Sequence, residues 1–106
     1  MKLRYKFAMQ KVGSGIVAVA IEEDALKYNE LLRMNSTGAY ILTQLKDNIH
    51  YNELEERMLR KYDTDTETVN KILIDFLCML SGKELLLDDN GVLINEIKMR
   101  ENAGLY

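Results

Sequence analysis

Leu3, Tyr5, Phe7 and Met9 alternate with Arg4, Lys6, Ala8 and Gln10 at the start of the chain. A period of two is that of a strand with one buried face. Gly13-Ser14-Gly15 then supplies the backbone freedom a tight hairpin loop needs. The β-branched and small run Ile16–Ile21 suits a central strand covered on both faces, so residues 3–21 are predicted to form a β-hairpin. A charged connection, Glu22–Glu30, contains a turn. Leu31–Met34 is a third, short strand, at the edge of the same sheet.

The period changes at Asn35, whose side-chain oxygen can accept the orphan amide of Thr37 or Gly38 at a helix start. Beyond it Ile41, Leu42 and Leu45 recur at helical spacing, and Asp47-Asn48 end the element. Gly38 in the first turn costs about 0.5–1 kcal/mol relative to Ala, which points to close packing of this helix against the sheet. A second helix is predicted over residues 51–62, with Tyr51, Leu54, Met58, Leu59 and Tyr62 on one face. Thr64 (with Glu67) or Asp65 caps a third helix over 66–81, closed by Gly82 in the left-handed conformation. Leu85–Leu87 and Val92–Ile94 flank Asn90-Gly91, the strongest hairpin dipeptide, and Lys98–Tyr106 reads as a frayed polar tail.

Composition narrows the class. The 106 residues carry a net charge of −3, which argues against a general nucleic-acid binder. Lys2, Arg4, Lys6 and Lys11 open the chain without an acid, but their spacing is that of a solvated strand face. The longest apolar run is too short to cross a bilayer, which needs about 20 residues, so no membrane role is expected. One cysteine excludes an internal disulfide and fits a cytoplasmic location. With no repeat or linker, residues 1–106 are expected to form a single domain, its core at about 3–87 and a hairpin and tail at 84–106.

Candidate chemistry is sparse. His50 is the sole histidine and sits where a helix cap would. Cys78 has no CxxC partner and reads as a structural thiol. Asp88-Asp89-Asn90-Gly91 lacks the further ligands of a calcium loop and is explained by turn chemistry. The expectation is a protein that is not an enzyme and uses no metal and no cofactor.

The third helix is more informative. At 100° per residue, Val69, Ile72, Leu73, Phe76, Met79 and Leu80 form a core stripe. Ile74, Leu77 and Cys78, with Asn70 and Ser81, form a second, mixed stripe. That stripe awaits cover from the C-terminal hairpin, a homodimer mate or a partner. An exposed edge at Leu31–Met34 raises the same question, because an unpaired strand edge accepts an extended peptide.

The segment Leu31-Leu32-Arg33-Met34-Asn35-Ser36-Thr37-Gly38-Ala39-Tyr40-Ile41-Leu42-Thr43-Gln44-Leu45 resembles the L-N-x-T-G-x-x-I-W-x-x-L signature of the PqqD family, with Leu42 in place of the usual Trp. Leu54–Asp65 is similar to that family's second helix and Y-D-x-D turn, and Val69–Leu86 to its final helix. The resemblance covers roughly residues 3–87. It implies an α+β, winged-helix-like fold, a three-stranded antiparallel sheet followed by three helices, here with a C-terminal β-hairpin extension. It also implies a non-catalytic peptide-binding function. The leader segment of a ribosomally made precursor peptide would add as a strand between the third strand and third helix, for presentation to a modifying enzyme such as a radical SAM maturase. Carried over by position, Leu31, Leu32, Arg33 and Met34 would line one wall of the groove, and Asn70, Ile74, Leu77 and Cys78 the other. The alternatives are a winged-helix DNA-binding regulator, for which the third helix is poorly basic, and a structural or oligomerisation module.

Overall fold

A short strand at the very start of the chain, β1 (Lys2–Leu3), pairs antiparallel with β5 (Leu86–Leu87) near the C-terminus, with Leu3 opposite Leu86. This computed structural model describes residues 1–106. The main sheet is three-stranded and antiparallel in the order β2-β3-β4, from β2 (Phe7–Val12), β3 (Gly15–Ala20) and β4 (Leu32–Met34). Gly13 takes the positive φ of +62° in the two-residue loop between β2 and β3. Helices follow: α1 (Ser36–Gln44), α2 (Tyr51–Lys61), α3 (Thr66–Gly82) and α4 (Glu96–Asn102). The expected α+β order of three antiparallel strands and then three helices is present, with a fourth helix added.

Four local readings change. The first strand is broken at Arg4-Tyr5-Lys6, because the amide of Arg4 donates to the carbonyl of Leu85 and that of Lys6 to Asp24 Oδ2, drawing the chain out of one ladder. Gly82 stays helical, and Glu84 supplies the positive φ, +59°, that ends α3. The turn at Asn90-Gly91 forms, with Gly91 at φ +76°, yet β5 gives its pairing to β1 and meets the returning chain only at the Leu87–Leu93 bridge. Most consequentially, the tail is no frayed end. Asn95 caps α4 by accepting from the amide of Lys98 at 2.7 Å, and Met99 is fully buried.

The core is one continuous cluster. It runs from Met1 and Leu3 through Phe7, Ala18 and Leu32 of the strands to the inner faces of α1, α2 and α3, and on to Ile94 and Met99. Each fully buried Leu, Ile or Met contributes about 1.5–3 kcal/mol of transfer free energy. The caps foreseen at Asn35 and Asp65 are made: Asn35 Oδ1 accepts from Gly38 N at 2.9 Å, and Asp65 Oδ1 from Thr68 N at 2.8 Å. His50 precedes α2 without capping it; its Nε2 lies 3.6 Å from Asp89 instead.

Candidate functional site

β4 pairs with β3 on one side only, Met34 opposite Ile16, Arg33 opposite Val17 and Leu32 opposite Ala18. Its other edge has no strand beside it. Along that side runs a groove of about 440 Å³ between β4 with the start of α1 and the flank of α3. Arg33, Met34, Thr37 and Gly38 form one wall. Ile72, Asp75, Phe76 and Met79 form the other, with Ile41 also reaching the lining. No residue of the C-terminal turn or of α4 contributes, so neither covers this opening.

Local chemistry explains the shape. Asn35 turns the chain from strand to helix and caps α1. Gly38 then sits so tightly that a Cβ there would lie 2.8 Å from Phe76 Cε1 and 3.1 Å from Met34 Cβ. The close approach expected of Gly38 is therefore real, but its principal partner is the ring on α3, with the last residue of β4 behind it. Beyond the groove's Leu31 end, Glu30 reaches Lys83 at 3.8 Å, tying the lead-in to β4 to the end of α3.

The residues named from sequence divide. Leu31 is exposed beside β4, Arg33 and Met34 line the groove, and Leu32 is turned inward and buried. On α3 the assignment is rotated. Leu77 and Cys78 are 0% and 2% exposed, so no groove reaches them. Ile74 is half-buried and packs on the core. Asn70 is held in internal bonds, accepting from the Tyr51 hydroxyl and donating to the Thr66 carbonyl at 3.0 Å. Burial, and next the nearby Glu55, push the Tyr51 hydroxyl up to about 12, which keeps it a neutral donor. Burial also raises the Cys78 thiol, against a smaller opposing pull from Arg100, and so favours the neutral thiol at this buried position.

The wall on α3 is instead Ile72, Asp75, Phe76 and Met79, a spacing of three, four and seven, of which Ile72, Phe76 and Met79 were expected in the core stripe. The buried face centres on Val69, Leu73, Leu77 and Leu80, turned from the expected stripe by roughly a seventh of a turn. Cover by α4 is the reason. The signal was present: Asn95 as cap, then Glu96 and Arg100 at the helical spacing that brings them to 3.6 Å.

A second recess, of about 620 Å³, opens at the kink between β1 and β2. Two of its cations are already engaged, Lys6 with Glu22 at 3.0 Å and Arg4 with Glu84 at 3.9 Å. No group of three His, Cys, Asp or Glu side chains is arranged to hold a metal ion, and no helix is long and apolar enough to cross a membrane.

Fold and groove together define the class: a small α+β domain with an antiparallel sheet whose last strand presents a free edge beside a helix. The chain belongs to the PqqD family, whose family model, described as Coenzyme PQQ synthesis protein D (PqqD), matches residues 15–86. That span runs from β3 to β5 and contains both walls of the groove. Among solved structures the chain is similar to one described as "TbiB1 in Complex with the TbiA(beta) Leader Peptide", with a TM-score of 0.62 and 24% identity over 81% of this chain and 94% of that one. No curated protein matches the chain at a meaningful level.

Proposed function

We propose that this protein is a non-catalytic recognition domain that binds the leader segment of a ribosomally made precursor peptide and presents it to a modifying enzyme such as a radical SAM maturase. The leader adds as a strand to the outer edge of β4 and lays alternate side chains against Ile72, Phe76 and Met79. The observation that carries this reading is the free edge of β4 beside an apolar, helix-walled groove. Backbone groups along an open edge supply affinity without regard to sequence, and the adjoining pocket supplies choice. Membership of the PqqD family supports it, as does the likeness in fold to a protein solved with a leader peptide.

The groove residues named from sequence enter this reading in revised form. Leu31, Arg33 and Met34 stay on the strand wall, whereas Ile72, Asp75, Phe76 and Met79 replace Asn70, Ile74, Leu77 and Cys78 on the helix wall. Nothing on α3 favours DNA instead: its exposed positions include Glu67, Lys71 and Asp75, which mix charge.

Fluorescence anisotropy with labelled precursor leaders encoded beside the gene tests the proposal. One of them binds the wild-type protein, and Ile72→Glu lowers that affinity by roughly tenfold or more, as expected for a charge placed on a buried apolar contact. Ile72 is 36% exposed in the free protein, and circular dichroism of the variant checks that it stays folded. If none of the leaders bound, or if the variant bound as tightly as wild type, the proposal would be wrong.

A further inference from the structure

The side chains of β4 alternate: Leu32 is buried, Arg33 is exposed and Met34 is half-buried against the core. A strand added to the outer edge of β4 inherits that alternation, because neighbours in a sheet share their pleat. Its residues beside Leu32 and Met34 therefore face α3, where Ile72, Phe76 and Met79 await apolar groups. The residue between them lies beside Arg33, whose backbone borders the groove at the strand edge while its side chain alternates to the exposed face of the sheet.

Arg33 is the notable group on that face. The neighbour already paired with it on β3 is Val17, which offers no charge. Its guanidinium forms no ion pair and no side-chain hydrogen bond, although the exposed acids elsewhere on the chain hold most of the other cations. Asp75, on the helix wall, likewise forms no ion pair. The two charges act in the same direction. Arg33 attracts an acid on the outer face, while Asp75 repels one turned inward towards α3.

Resting on the peptide-binding reading above, we infer that the peptide segment accepted by this groove has the pattern apolar–acidic–apolar, with Asp or Glu beside Arg33 and the flanking aliphatic or aromatic side chains against α3. Arg33 is the residue that selects the acid. The pattern also fixes register. A slip of one residue would place the carboxylate against Phe76 and Asp75 and an apolar group in solvent.

Selection of a displayed library of random extended peptides against the wild-type protein and Arg33→Glu tests this. Wild type enriches the apolar–acidic–apolar pattern, and Arg33→Glu enriches Lys or Arg at the central place while keeping the apolar flanks. For the best selected peptide, exchanging the central acid for Gln weakens wild-type binding by about two- to fivefold, the range for a cross-strand charge pair. That loss shrinks as salt is raised. Circular dichroism of Arg33→Glu checks that the exposed substitution leaves the fold intact. Enrichment of apolar flanks with no central preference, or the same central preference in both proteins, would overturn the inference while leaving the groove in place. Failure to enrich any peptide that Ile72→Glu weakens would overturn both it and the peptide-binding reading beneath it.

Discussion

Gly38 sets two opposing energies against each other. Replacing it with Ala gains about 0.5–1 kcal/mol of helix propensity. The new methyl, however, would sit 2.8 Å from the Phe76 ring and 3.1 Å from Met34 Cβ, and overpacking of that kind costs about 1–3 kcal/mol. The clash wins: Gly38→Ala is expected to lower stability by about 1 kcal/mol in urea unfolding and to weaken peptide binding by displacing Phe76. An unchanged or higher unfolding midpoint would show that the ring yields freely. At Asn35 the expectation is simpler, since loss of the 2.9 Å cap bond to Gly38 N in Asn35→Ala costs about 1 kcal/mol.

Asp65 offers a pH prediction at the same scale. Its bonds from Thr68 hold its carboxyl below the usual carboxylate value. A group lowered in the folded state stabilises the fold above the unfolded value and loses that contribution as pH falls through the folded one. Thermal midpoints should therefore drop through the region below about pH 4, and Asp65→Asn, which retains an N-cap acceptor, should flatten that drop. An identical acid profile in the two proteins would remove Asp65 from the account.

Among the elements, α3 and α4 decide how much could be seen in advance. The hairpin of β2 and β3, the edge strand, and α1 to α3 were legible because each carries its own period, reinforced at α1 and α3 by the Asn35 and Asp65 caps. The orientation of α3 was not. A hydrophobic stripe on an isolated helix shows that one side is buried, but the centre of burial depends on every element packed against it. Here α4 covers the Leu77–Cys78 side, and Ile72, Phe76 and Met79 are left at the border of the core to wall the groove. The small side chains of Cys78 and Ser81, which is itself buried and donates to the Leu77 carbonyl, were the available hint of a close neighbour. Because Met99 is fully buried at that junction, Met99→Ala should cost about 2–5 kcal/mol in denaturant unfolding, as for other buried large-to-small changes. A cost within ±0.5 kcal/mol, the range of a surface change, would return residues 96–102 to the status of a loose tail.

For the molecule as a whole, the candidate site was half legible. Two residues of its strand wall, Arg33 and Met34, could be named because an edge strand followed at once by a cap is a local pattern; the inward turn of Leu32 and the helix wall needed the tertiary arrangement. The result is an asymmetric small domain, with one edge of its sheet and the flank of its longest helix left facing each other. The N- and C-terminal segments are instead joined by β1, β5 and the core on to Met99. The most direct test of strand addition at β4 is backbone amide hydrogen exchange with and without a bound precursor leader. The account predicts slowed exchange at outward-facing amides within residues 32–34, with chemical-shift changes along 72–79 and little change at 96–102. Binding that left the β4 amides unprotected, or that shifted α4 instead of the groove, would contradict it.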